Sequence, residues 1–216
     1  MSEHYDPDFD TRAATWDADP AKVERAQAAA DAIVRHVPLS RSMRAMEYGC
    51  GTGLVTFMLR DRLGDVTLAD LSDGMLEVAA AKIAAASDSA MRTIKLDLLV
   101  DPLPELAFDV IYSAMTLHHI PDTDAILRRF NAALARPGYL CIADLDSEDG
   151  SFHGAGFDGH LGFDRAALGD KARRAGFDTV NFSTAHVMTM SVDGRPRQFP
   201  IFLMVAATHG RPRNAP

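Results

Sequence analysis

Residues 46–56 read "MEYGCGTGLVT": a short apolar run, three glycines in five positions, then a second apolar run. Glycine takes left-handed backbone at no steric cost, so the pattern predicts a tight turn from the end of a strand into a helix. The rest of the chain continues that alternation. Strands are expected at 43–48, 65–70, 91–97, 108–113, 138–144, 178–186 and 199–207, and helices at 53–62, 73–86, 122–136 and 164–175. Asp122 after Pro121 caps the helix at 122–136 and Pro137-Gly138 stops it, with Asp124 and Arg136 placed to suit the macrodipole. Asp164 and Gly176 bound the helix at 164–175. Ahead of the glycine turn, residues 21–37 put Val23, Ala26, Ala30, Ile33, Val34 and Val37 on one helical face.

Strand–helix alternation of this kind argues for an α/β fold, a mostly parallel sheet with helices on both faces and a ligand at the carboxyl ends of the strands. The final two strands are linked by "MTMSVDGRPRQ" (188–198) with no helix, which predicts an antiparallel pair. The chain divides into an N-terminal arm and helix (1–40), a main domain (41–208) and a tail (209–216). At 216 residues and 47% hydrophobic content it can bury one substantial core. Its net charge of -8 disfavours nucleic acid and anionic membrane as partners. The polar start "MSEHYDPDFD" and the lack of a long apolar run predict a cytoplasmic chain. Cys50 and Cys141 have no metal-ligand spacing, so neither a disulfide nor zinc is expected.

Two ligand classes use a glycine turn after the first strand, and the spacing discriminates between them. A dinucleotide turn follows G-x-G-x-x-G, whereas Gly49, Gly51 and Gly53 bring the third glycine one residue early. Glu47 at the strand end is wrong in sign for a pyrophosphate and right for a cation. S-adenosylmethionine, with a sulfonium and an ammonium, has that character. Asp70 and Asp97 end the second and third strands, where one carboxylate can accept ribose hydroxyls and another can meet an exocyclic amine. Three acids at three successive strand ends are more than helix caps.

"MEYGCGTG", "LADLSDGML", "IKLDLL" and "FDVIYSAMTLHHIPD", in that order, resemble the class I S-adenosylmethionine-dependent methyltransferases, in particular small bacterial enzymes similar to the quinone-biosynthesis C-methyltransferases. The resemblance covers roughly 43–145. It implies a Rossmann-like seven-stranded sheet of order 3-2-1-4-5-7-6 with strand 7 antiparallel. It also implies that Glu47, Gly49, Gly51 and Gly53 form the turn that holds the methionine part. Asp70 with Leu71 would hold the ribose, Met75 would pack on the adenine, Asp97 with the backbone of Leu98 would read the adenine edge, and Ser113 would line the methionine side. The alternatives are a non-catalytic S-adenosylmethionine-binding regulator and a nicotinamide-dependent oxidoreductase, the latter disfavoured by the glycine spacing and Glu47.

The acceptor is less defined. "SAMTLHH" stands where amide and DNA-amine methyltransferases carry an Asn/Asp-Pro-Pro-aromatic motif, and the Arg-Asn pair of the quinone enzymes is missing as well. A small-molecule acceptor is expected. His119 after the fourth strand and His153 in the glycine-rich segment 144–163 are the candidate general bases, with His118 beside them. The fourth strand ends in Ser113 rather than an acid, so no metal is expected. Tyr5, Phe9 and Trp16 in the acidic arm are candidates for a lid over the cofactor. Oligomeric state is not legible.

Overall fold

The computed structural model describes residues 8–154 and 156–210. In chain order the strands are β1 (Ala45–Tyr48), β2 (Val66–Asp70), β3 (Met91–Lys95), β4 (Phe108–Ala114), β5 (Leu134–Leu145), β6 (Thr179–Val192) and β7 (Arg195–Thr208). They form a sheet of order β3-β2-β1-β4-β5-β7-β6. β1 to β5 pair in parallel, and β7 runs antiparallel to both β5 and β6. This is the order and polarity that the family resemblance implies.

The helices are α1 (Asp8–Arg12), α2 (Pro20–His36), α3 (Leu54–Leu59), α4 (Asp73–Ala86), α5 (Thr123–Ala133) and α6 (Arg165–Arg174). Successive strand residues serve opposite layers. Ala45, Val110, Tyr112, Cys141 and Leu203 pack in the core that includes α2 and α3. Met46, Ile111, Leu140, Ile142 and Met204 pack with α5 and α6. The inner strands bury residues on both faces, whereas the edge strands β3 and β6 are largely exposed. Cys50 and Cys141 are buried free thiols. Among the described residues no helix is long and apolar enough to cross a membrane.

Two local expectations are corrected. The helix expected over 122–136 ends at Ala133, and Leu134 already pairs with Phe108 in the sheet. Pro137 disfavours helical backbone at Arg136. Arg136 therefore lies in β5 and donates to Asn131 Oδ1 at 2.7 Å instead of facing a helix C-terminus. The segment 188–198, expected as a link, is mostly strand. β6 runs on to Val192 and β7 begins at Arg195, joined by Asp193 (φ 51) and Gly194 (φ 74). Asp-Gly with both residues left-handed is the two-residue hairpin turn that suits twisted strands.

Candidate functional site

The glycine turn closes at the carboxyl end of β1. At Gly49 a Cβ would stand 2.2 Å from Thr116 Cγ2, so only glycine lets the turn after β4 approach this closely. Gly51 donates its N–H to Asp70 Oδ2 at 2.7 Å, while Asp70 Oδ1 accepts from Leu71 and Ser72 at 2.8 and 2.9 Å. Three amides are thus gathered on one carboxylate, which leaves one acceptor position, on Oδ2, out of about four. Burial raises the Asp70 pKa, against the pull of those amides.

Glu47 is 2% exposed. Its Oε2 accepts from Thr56 N at 3.1 Å and Thr56 Oγ1 at 2.5 Å, and Thr56 Oγ1 lies 2.7 Å from Tyr112 Oη. Burial nevertheless pushes it up to about 8. The amide of Thr56, in the first turn of α3, is one that a phosphate at this helix N-terminus would seek. Glu47 already takes it. The turn therefore fits a ligand that brings positive charge, and this geometry argues against a pyrophosphate independently of glycine spacing.

The remaining sequence candidates divide into cavity wall and support. Glu47, Gly49, Gly51, Asp70, Leu71, Met75, Asp97, His118, His119 and His153 line a cavity of about 1000 Å³, as do Phe9 and Trp16. That volume holds a nucleoside and a second small molecule. Gly53, Leu98 and Ser113 do not line it. Gly53 (φ 82) begins α3, where a Cβ would lie 2.7 Å from Leu68. Leu98 turns into the core, and its N–H donates to Tyr48 Oη at 3.2 Å rather than toward a ligand. Leu99 takes its place on the wall, with its N–H on Asp97 Oδ1 at 2.9 Å. Ser113 is buried with its Oγ unpartnered, and the wall residue of β4 is Ala114.

The arm contributes Phe9, Arg12 and Trp16 to the cavity wall. Asp10 Oδ1 accepts from Ser72 Oγ at 2.6 Å and Gly74 N at 2.8 Å, seating an anion on the N-terminus of α4. Asp17 accepts from Thr52 Oγ1 at 2.5 Å and pairs with Lys82 at 2.8 Å. Beside these anchors Phe9 packs on Trp16 at 5.8 Å and edge-on against His119 at 5.5 Å. Tyr5 lies outside the described residues.

The far end of the cavity is built from β4, β5 and the loop that follows. Met115 takes φ 55, uncommon for a side chain of its size, and turns the chain so that His118 and His119 enter the cavity. His118 Nδ1 lies 2.7 Å from Asp144 Oδ1, and its backbone N–H reaches Asp144 Oδ2 at 3.2 Å. Asp144 is fully buried at the end of β5. Arg165 ties the loop down through two contacts of 2.7 Å with Asp146. His160 ties it again, its backbone N–H donating to His118 O at 2.8 Å. His153 Nδ1 is buried without a hydrogen-bond partner, and the ring stacks on Phe157 at 3.8 Å. Burial, together with His118 and His153, pushes His119 down to about 3. Burial and His118 push His153 down to about 4. Both rings are neutral near pH 7 and are weak proton acceptors there.

Several wall or anchoring residues are not among the site residues expected from the sequence. Asp10 and Asp17 are hidden in an acidic arm, where single acids give no signal. Asp144 stands at the end of an expected strand, the same position that singles out Asp70 and Asp97. Arg25 lines the cavity from α2, with Nη1 3.5 Å from Met188 Sδ. Burial lowers its pKa, against a weaker pull from Asp19, and among the described residues no carboxylate forms an ion pair with it.

Residues 46–140 match the family model described as a methyltransferase domain. An uncharacterized methyltransferase of Mycobacterium bovis is 32% identical over 106 residues, which is 49% of this chain and 52% of that protein. The ubiquinone/menaquinone biosynthesis C-methyltransferase of Shewanella oneidensis is 31% identical over 107 residues, covering 48% of this chain and 43% of that one. The chain thus spans about half the length of the curated relatives it matches. Among solved structures, a phosphoethanolamine N-methyltransferase of Haemonchus contortus bound to S-adenosylhomocysteine superposes with a TM-score of 0.70 at 18% identity, covering 84% of this chain and 52% of that one. At that identity the likeness is one of fold.

Proposed function

We propose that the chain, whose residues 46–140 match a methyltransferase domain, is a class I S-adenosylmethionine-dependent methyltransferase that transfers a methyl group from S-adenosylmethionine to a small-molecule acceptor. The observation that carries this reading is one continuous cavity with two chemically different ends. At one end Glu47, the glycine turn, Asp70 and Asp97 offer acceptors to a nucleoside with a cationic amino-acid tail. At the other, three imidazoles and Arg25 line the wall, and this end is the one we assign to the acceptor.

When bound, the cofactor supplies an electrophilic methyl group on a sulfonium. The chain's own part is orientation and exclusion of water. Glu47 would hold the ammonium, the remaining acceptor site of Asp70 a ribose hydroxyl, and Asp97 the exocyclic amine of the adenine, while Met75 and the Leu99 side chain pack on the ring. The arm, held by Asp10 and Asp17, would keep Phe9 and Trp16 over the site. Arg25 favours an acceptor that carries negative charge, since a partly buried guanidinium outside any ion pair gains from an anion that joins it.

Thermal denaturation tests the cofactor half of the proposal. S-adenosylhomocysteine at about 100 times its dissociation constant should stabilise the fold by ~2.7 kcal/mol, with no comparable rise from NADH. Release of S-adenosylhomocysteine in a screen of small carboxylates, phenols, thiols and amines tests the transfer half. Binding without turnover across all acceptor classes would point to a regulator instead.

A further inference from the structure

His118 and His119, from the turn after β4, and His153, from the loop after β5, each offer a ring nitrogen, and these nitrogens all lie within 4.8 Å of one another. His118 is oriented from behind. Its Nδ1 faces the buried Asp144 carboxylate at 2.7 Å, which assigns the proton to Nδ1 and the lone pair to Nε2. A carboxylate in that position is the common support of a metal-binding histidine. His153 Nδ1 is buried and has no hydrogen-bond partner, although buried polar atoms are almost always satisfied. Aromatic rings brace the cluster: Phe157 stacks on His153 and meets His119 edge-on at 5.4 Å, and Phe9 meets His119 from the arm.

We propose that His118, His119 and His153 bind one divalent transition metal ion of borderline softness, of which zinc is the reference case. Imidazole ligands suit that class of ion, and three of them leave a fourth position open. In a tetrahedral site with metal–nitrogen distances of about 2.0–2.1 Å, the ligand nitrogens sit about 3.3 Å apart. Ligation therefore draws the three rings together, and His153, carried on a loop, is the one with most freedom to move. Three neutral ligands leave the ion its full charge, and Arg25 lines the same cavity. The open position accordingly suits an anionic oxygen or sulfur of the acceptor. Only this last point rests on the methyl-transfer reading.

Cobalt(II) titration of the metal-free full chain near neutral pH reads the site directly, because low-symmetry cobalt absorbs strongly in the visible. The expected result is saturation at one equivalent, displacement by zinc, and at least roughly a hundredfold loss of cobalt affinity in both His119→Ala and His153→Ala. Asp144→Asn should weaken binding about 10- to 100-fold, the usual range for a group behind a ligand. His153 is on a loop, so its variant retains the fold, and circular dichroism checks each variant. No one-equivalent binding by the wild-type chain, or unchanged cobalt affinity in both histidine variants, overturns the site. Failure to bind S-adenosylhomocysteine with the cobalt site intact would count against the methyl-transfer reading and leave the metal site standing.

Discussion

Burial pushes Glu47 up to about 8 even though Thr56 donates to it twice, and that balance determines how pH acts on the site. Between its ordinary value of 4.5 and about 8 the folded chain holds a proton that the unfolded chain gives up. Stability therefore falls as pH rises through this window, by up to ~1.4 kcal/mol per pH unit, and levels off above it. A ligand ammonium beside the carboxyl favours the ionised form, so binding expels that proton. S-adenosylhomocysteine affinity should rise with pH by up to about tenfold per unit from roughly pH 6 to 8, and Glu47→Gln should flatten the profile. Calorimetry across that range gives the answer, and a flat wild-type profile would mean that Glu47 does not hold the ligand ammonium.

At the scale of elements, the arm owes its position to two carboxylates rather than to its aromatic residues alone. Asp10 holds the N-terminus of α4, and Asp17 bridges Thr52 in the glycine turn to Lys82. The Asp17–Lys82 pair is partly solvated, so its share is modest, about 1 kcal/mol or roughly fivefold in affinity. Asp17→Ala should raise the dissociation rate of S-adenosylhomocysteine by about that factor with little change in association, since affinity changes within one site fall mostly on dissociation. Trp16 is the only tryptophan in the chain and sits between the two anchors, so its emission follows the arm in stopped-flow. Wild-type dissociation from Asp17→Ala would mean that the arm does not retain the ligand.

At the scale of the whole molecule, one sheet separates two apolar layers and couples them. Ile33 in α2 and Phe130 in α5 are buried in opposite layers. Ile33→Ala should cost about 2–5 kcal/mol and Phe130→Ala about 3–5 kcal/mol. Because the central strands contribute alternate residues to both layers, each variant should still unfold in a single transition, at a lower temperature. Two separate transitions in calorimetry would show that the layers fold independently.

The strands and helices, the two layers and the acids of the proposed cofactor end were legible in the chain because they depend on short-range signals. Apolar runs of strand length, helical periodicity, capping acids and a glycine turn act within a few residues, and Glu47, Asp70 and Asp97 each stand at the end of such a run. Strand order came with the resemblance those motifs carry, not from any one of them. The Asp193-Gly194 turn joins strands that extend farther than their apolar runs, so their length was not legible. Tertiary structure decided what depends on contacts between distant segments. It turned Leu98 into the core and put Leu99 on the wall, because Tyr48 from a different strand takes the Leu98 amide. It loaded Asp70 with three amides of the glycine turn and its own helix start. It set Asp144 behind His118 and carried His153 across to join the pair. No local pattern encodes these meetings, since each requires two strand ends or a strand end and a loop to converge, and only packing of the whole sheet brings them together.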